Sequence, residues 1–158
     1  MGRCASGGIF SGPTPQDVER CKKAAESLNI AHLWEKDCGV LSEGQRQMVQ
    51  LARVSAQDAA VLLLDEPNSA LDYQNSRLLF EQVRKLVRAR NKGALVVMHD
   101  PGLALRWCDR LLRMEGGVLT GALEPARAAT EEAQRFLSAL YPGITVKRDG
   151  PNGVFYCI

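Results

Sequence analysis

The run from Val61 to Asp72, V-L-L-L-D-E-P-N-S-A-L-D, constrains the fold more than any other part of the chain. Four consecutive apolar residues, Val61 to Leu64, suit a parallel strand covered on both faces. Pro67 has no N–H to donate and ends any further ladder pairing. Asp65 and Glu66 are therefore expected at the carboxyl end of a buried strand. Ligands bind at that edge in open α/β sheets, so two adjacent carboxylates there suit a phosphate and its metal ion. Read alone, the same residues also fit an acidic turn after a core strand.

Upstream, Leu41-Ser42-Glu43-Gly44-Gln45 introduces a helix whose Met48, Leu51, Ala52 and Ser55 fall on one face. Ser42 followed three residues later by Gln45 reads as a capping box. Such a helix start is a good anion site, because its free N–H groups and dipole favour negative charge and Gly44 allows close approach. As structure alone it is a capped helix. A second apolar run, Ala94 to Met98, predicts a strand that delivers His99 to the same sheet edge as Asp65 and Glu66. A lone histidine after a strand is also a common cap or hydrogen-bonded spacer.

L-S-E-G-Q, V-L-L-L-D-E-P, S-A-L-D and V-V-M-H-D, in that order, resemble the motifs of the ATP-binding cassette (ABC) family of ATPases. The resemblance implies ATP and Mg²⁺ as cofactors and a role for each position. Leu41, Ser42, Glu43, Gly44 and Gln45 match the signature loop, which in the family contacts the γ-phosphate of ATP held by a partner subunit. Asp65 matches the Walker B aspartate that helps hold Mg²⁺. Glu66 matches the catalytic glutamate that polarises the attacking water. Ser69, Ala70, Leu71 and Asp72 match the D-loop, which couples the two sites of a dimer, and His99 matches the switch histidine that senses the γ-phosphate. Phosphoryl transfer needs mainly positioning and charge neutralisation, and this set supplies both.

Two departures stand out. Glu43 occupies the position where the family has glycine, placing a carboxylate near the presumed anion site. Pointing inward it would repel phosphate; the expectation is an outward, tolerated side chain. No G-x-x-x-x-G-K-[ST] occurs, and no glycine is followed by lysine, so the P-loop that grips ATP is missing from the sequence. The family's Q-loop is not recognisable either, since Gln16 lies in a Pro-rich turn. The chain thus resembles the C-terminal part of an ABC ATPase. Exposed sheet edges and an uncovered core face are the expected hazard of such a part.

A length of 158 residues, 46% hydrophobic and 24% charged, suits one ordinary globular domain with a core. The net charge of +2 gives no argument for nucleic-acid or anionic-membrane binding. Arg77, Arg84, Lys85, Arg88 and Arg90 read as a solvated helix face. Cys4, Cys21, Cys38, Cys108 and Cys157 form no C-x-x-C pair, which with two histidines leaves no metal-site spacing and predicts free thiols in a reducing cytosol. No apolar run approaches a membrane span and Met1-Gly2-Arg3 does not begin a signal peptide, so no direct membrane insertion is expected.

Met1 to Pro13 is Gly/Ser-rich and expected to be loose. Thr14-Pro15-Gln16-Asp17 reads as an N-cap, a proline at the first helical position and an acid at N3, opening a helix expected to run to about Ala31 with Val18, Cys21, Ala25 and Leu28 on its apolar face. Leu33 to Val40 is a linker, and His32 a surface or cap residue. Tyr73 to Arg90 has helical period and ends near Asn91-Lys92-Gly93, predicting a strand–helix–strand unit with parallel strands. Pro101 to Trp107 reads as a short helix, with strands Leu111 to Met114 and Val118 to Thr120 about Gly116-Gly117. Glu131 to Leu140 reads as the last helix, and Ile144 to Arg148 with Val154 to Ile158 as a hairpin across Asp149 to Gly153.

The expected fold is α/β, a partial P-loop NTPase of ABC ATPase type: a helical subdomain over 1–56, the Walker B, D-loop and switch region over 57–125, and a C-terminal helix and hairpin over 126–158. The resemblance implies the ATP-binding subunit of an importer, cytoplasmic and peripheral on the inner face of the cell membrane, partnered by a transmembrane permease and a second ATPase subunit. The Met1-Gly2-Arg3 start, the H-D-P-G-L-A-L-R-W-C-D-R run from His99 and the Tyr141-Pro142-Gly143 tail are similar to ATPases of iron–siderophore, haem and cobalamin importers. ABC-type DNA-repair and chromosome-organising ATPases share the signature and Walker B motifs but carry coiled-coil arms, and no sustained heptad occurs here. The rival reading is a non-catalytic split-gene or truncated remnant that only contacts another ATPase or permease subunit.

Overall fold

In a computed structural model, which describes residues 12–89, 91–150 and 155–158, Thr14 caps the first helix as its spelling predicts. Helix α1 (Pro15–Ser27) begins with a complete capping box: the Thr14 side chain accepts from the Asp17 N–H while the Asp17 carboxylate accepts from Thr14 N. It stops short of the expected Ala31. Asn29 takes a left-handed φ of 58°, and Ile30 N donates back to Ala25 O at 2.9 Å, which closes the last turn. Two short 3₁₀ turns follow, Ala31–Leu33 at the start of the expected linker and Cys38–Val40 at its end, and Leu33 and Leu41 are buried.

Helix α2 (Glu43–Ala56) packs against α1 and buries Leu51, Ala52, Ser55 and Ala56. Strand β1 (Val61–Asp65), helix α3 (Tyr73–Ala89) and strand β2 (Gly93–Val97) follow, and β1 pairs parallel with β2 from Val61↔Gly93 to Asp65↔Val97. Lys92, its side chain only 8% exposed, binds Asp58 at 2.7 Å and ties the segments that lead into the two strands. Leu79, Val83 and Leu86 on one stripe of α3 share a core with Leu62, Leu51, Leu28 and Ala25. Each fully buried leucine or valine among them contributes about 1.5–3 kcal/mol.

The expectation that β1 is covered on both faces is corrected. Leu62 is buried, but Val61 and Leu63 are exposed, as are Leu95 and Val97 beside them on β2. Residues two apart point to one side of a sheet. Among the described residues one face of this two-stranded sheet is therefore covered and the other is open.

The chain divides into two units, one ending at Val97 and the other Met98–Ile158. The second holds helix α4 (Pro101–Trp107), the antiparallel pair β3 (Leu111–Glu115) and β4 (Val118–Leu123), helix α5 (Thr130–Ser138) and the antiparallel pair β5 (Val146–Arg148) and β6 (Phe155–Cys157). Gly116 and Gly117, with φ of 56° and 80°, make the two-residue turn between β3 and β4, a turn that needs left-handed backbone at both positions. Ala133 and Leu137 of α5 pack with Leu105, Leu111, Leu123 and Phe155 in this unit's own core. Gln134 clamps β5 to α5, accepting from Val146 N at 2.7 Å and donating to Ile144 O at 2.8 Å. The expected helix limit at Leu140 shortens to Ser138, and the expected strand end at Thr120 extends to Leu123. Residues 1–11 of the expected loose start, Arg90, and residues 151–154 of the expected turn and hairpin lie outside the described residues.

Candidate functional site

Asp65 ends β1 opposite Val97, and Glu66 leaves the strand by donating its N–H to Val97 O at 3.0 Å. Both carboxylates thus stand at the carboxyl end of the parallel pair, as their place in the sequence predicts. Glu66 adopts a φ of 41°. Left-handed backbone is uncommon for a residue with a long side chain and costs of order 1–3 kcal/mol, so the surrounding structure must hold it. The bond to Val97 O does so from one side. From the other, Ser69 N donates to Glu66 O at 3.1 Å and Leu71 N to Asn68 O at 3.0 Å, folding residues 66–71 into successive turns. Asp72 then starts α3, its carboxylate accepting from Asn75 N at 2.8 Å and from Asn75 Nδ2 at 3.0 Å.

The start of α2 is built as its sequence predicts. Ser42 Oγ accepts from Gln45 N at 3.3 Å, and Gln45 Oε1 accepts from Ser42 N at 3.1 Å. The orientation of Glu43 is resolved: its carboxylate, 44% exposed, pairs with Arg46 at 3.0 Å along the helix surface. Its charge is thus turned along the helix and partly offset. Gly44 lies against the 69–72 loop and the start of α3, because a Cβ placed there would stand 3.6 Å from Leu71 Cδ2 and 3.7 Å from Asn75 Cγ. The first unit therefore brings together the helix start at 41–45 and the loop at 69–72. Asn75 was not singled out by sequence, although an amide three residues after an aspartate at a helix start is a capping signal.

His99 falls in the second unit, two residues beyond the end of β2. Its side chain is exposed, and its carbonyl accepts a hydrogen bond from the Tyr141 hydroxyl at 3.0 Å. Asp100 caps α4, accepting from Leu103 N at 2.9 Å. Burial first, and the Asp100 carboxylate second, push the Tyr141 phenol above its ordinary value. The same two causes raise the Cys157 thiol. Cys108 is raised mainly by burial and then by Asp109.

Asp65 and Glu66 offer hard oxygen donors, and Mg²⁺ is held by one or two carboxylates together with waters and phosphate oxygens. Among the described residues no group of three or more His, Cys, Asp or Glu side chains is placed to hold a metal by itself. A cavity of about 560 Å³ opens between α1 and α2, walled by Val18, Ile30, Leu33, Trp34 and Val49; neither Asp65 nor Glu66 lines it. No described helix is long and apolar enough to cross a membrane.

The ABC transporter family model matches residues 7–69. The "Probable iron chelatin transport ATP-binding protein" of Helicobacter pylori is 34% identical over 141 residues, covering 89% of this chain and 54% of that protein. The hemin import ATP-binding protein HmuV of Pseudomonas fluorescens is 41% identical over 107 residues, covering 65% of this chain and 42% of its own length. A solved structure assigned to the metal-chelate type of ABC transporter, in an inward-facing conformation, superposes with a TM-score of 0.83 at 25% identity, over 100% of this chain and 63% of that one. The chain thus spans about half the length of the curated relatives it matches.

Proposed function

Because this chain belongs to the ABC transporter family of ATPases, we propose that it forms the C-terminal part of such a domain and works in an ATP-binding subunit for the import of an iron chelate, haem or cobalamin. The observation that carries the reading is the end of β1. Asp65 and Glu66 emerge together at the carboxyl edge of a parallel pair, with Glu66 held in a left-handed conformation by Val97 O.

The family resemblance gives each residue a role, and its chemistry suits that role. Asp65 would hold Mg²⁺, which would supply neutralisation of phosphate charge, and Glu66 would orient and polarise the attacking water. Ser42, Gly44 and Gln45 present the N-terminus of α2 to the γ-phosphate on a partner subunit, with Leu41 buried behind them. Glu43 leaves that terminus usable because Arg46 holds its carboxylate. Ser69 to Asp72 carry the contact between the two ATP sites, and His99 senses the γ-phosphate. A second ATPase subunit and a transmembrane permease complete the assembly at the inner face of the cell membrane.

A second reading, a non-catalytic partner acting through the α2 start and D-loop, is favoured by one observation: the sequence holds no G-x-x-x-x-G-K-[ST]. Two carboxylates without P-loop N–H groups and a lysine repel a triphosphate more than they attract it. The deciding experiment mixes the chain with a P-loop-bearing segment of an ABC ATPase and follows phosphate release. Restored hydrolysis, slowed roughly 10²–10⁴-fold by Glu66→Gln with nucleotide binding spared, supports the catalytic role. Turnover indifferent to Glu66→Gln overturns it. Calorimetric titration of the chain alone with Mg-ATP is expected to show no tight binding.

A further inference from the structure

We infer that Tyr141 is a positioning residue for His99, its hydroxyl fixing the carbonyl of the histidine's own peptide. The inference rests on the reading of His99 as the γ-phosphate sensor.

The geometry anchors that peptide from two sides. On one, the Tyr141 hydroxyl donates to His99 O at 3.0 Å. On the other, the next residue is locked into the start of α4, where Asp100 Oδ1 accepts from Leu103 N at 2.9 Å and Asp100 O from Ala104 N at 3.0 Å. Tyr141 is itself held in place, because its N–H donates to Leu137 O at 2.9 Å and its carbonyl accepts from Ile144 N at 3.1 Å. The turn that joins α5 to β5 thus delivers a hydroxyl to the histidine from far along the chain. A carbonyl fixed in this way fixes ψ of His99, and with it the backbone frame from which the imidazole samples its rotamers. The phenol must stay protonated to donate. Partial burial and the neighbouring Asp100 carboxylate both favour the O–H form.

The consequence is that a change in the α5–β5 turn alters the behaviour of His99 without touching nucleotide. Tyr141→Phe tests it, since the ring and its packing remain and only the donor is lost. In the full chain, free of nucleotide, carbonyl ¹³C and side-chain relaxation NMR at His99 is the measurement, with thermal melting as the control of fold. The expected result is an upfield move of the His99 carbonyl and a less ordered imidazole on the ps–ns timescale, at near-unchanged melting. Incorporation of 3-fluorotyrosine at 141, a stronger donor, should move the carbonyl downfield, and decides the matter if the phenylalanine variant is poorly folded. Unchanged His99 signals in Tyr141→Phe, or no opposite move with 3-fluorotyrosine, overturn the inference. In the P-loop-complemented system, Tyr141→Phe should lower kcat several-fold with the KM for ATP held. A kcat that does not move there, while the carbonyl does, breaks the link to turnover. Failure to restore any turnover counts against the ATPase reading alone, because the NMR arm needs no nucleotide.

Discussion

Ser42 and Gln45 each satisfy a backbone N–H that a helix start leaves without a partner, so the α2 start stands on two reciprocal bonds. Ser42→Ala removes one and should lower unfolding stability by about 1 kcal/mol, read from urea denaturation. Glu43→Gln is expected to change stability by less than about 0.5 kcal/mol in the same assay, because the ion pair it breaks is half-exposed on the helix surface. Loss of several kcal/mol in that variant would mean that Glu43 does more than pair with Arg46. The cap was legible because its two side chains sit at a fixed spacing within one turn. The left-handed Glu66 was not, since glutamate carries no preference for positive φ and the bonds with Val97 and Ser69 that hold it are made by residues elsewhere in the chain. Tyr141 was equally hidden: the residues that make its turn are local, but the carbonyl it reaches belongs to a distant segment.

At the level of elements, β1 shows where a pattern reads too far. Four apolar residues in a row predict burial on both faces, yet among the described residues α3 and its neighbours cover the face that carries Leu62 and leave the other open. The two faces should respond oppositely to substitution. Leu62→Ala leaves a hole in the core and should cost about 2–5 kcal/mol. Leu63→Thr, at a position 73% exposed, should cost little in denaturant unfolding and should lower aggregation measured by light scattering. Equal destabilisation by both would show that Leu63 is covered in solution. Helix types and order were legible because caps, turns and 3.6-residue periodicity are local signals. The early end of α1 was not, because Asn29 sits among residues that could equally have continued the helix.

On the scale of the whole molecule, the second unit concentrates groups whose neutral form the fold prefers. Cys108, Tyr141 and Cys157 are all raised above ordinary values of 9.0, 10.0 and 9.0, with burial the first cause in each. A raised acid contributes stability that is fully present below its unfolded value and is lost as pH rises through its folded value. Melting temperature should therefore decline from about pH 9 upward, the window set by those ordinary values, and Cys108→Ala with Cys157→Ala should flatten the decline. An unchanged slope in the double variant would rule out the thiols as its cause. The two units also differ in how their strands find partners. Each hairpin of the second unit joins strands that are near neighbours in the chain, whereas β1 must wait for the whole of α3 before β2 can lie beside it. Low contact order speeds folding. During synthesis β1 is made well before its parallel partner, so the carboxylates at its end are among the last features of the first unit to reach their final backbone, while the β3–β4 hairpin can close as soon as β4 leaves the ribosome.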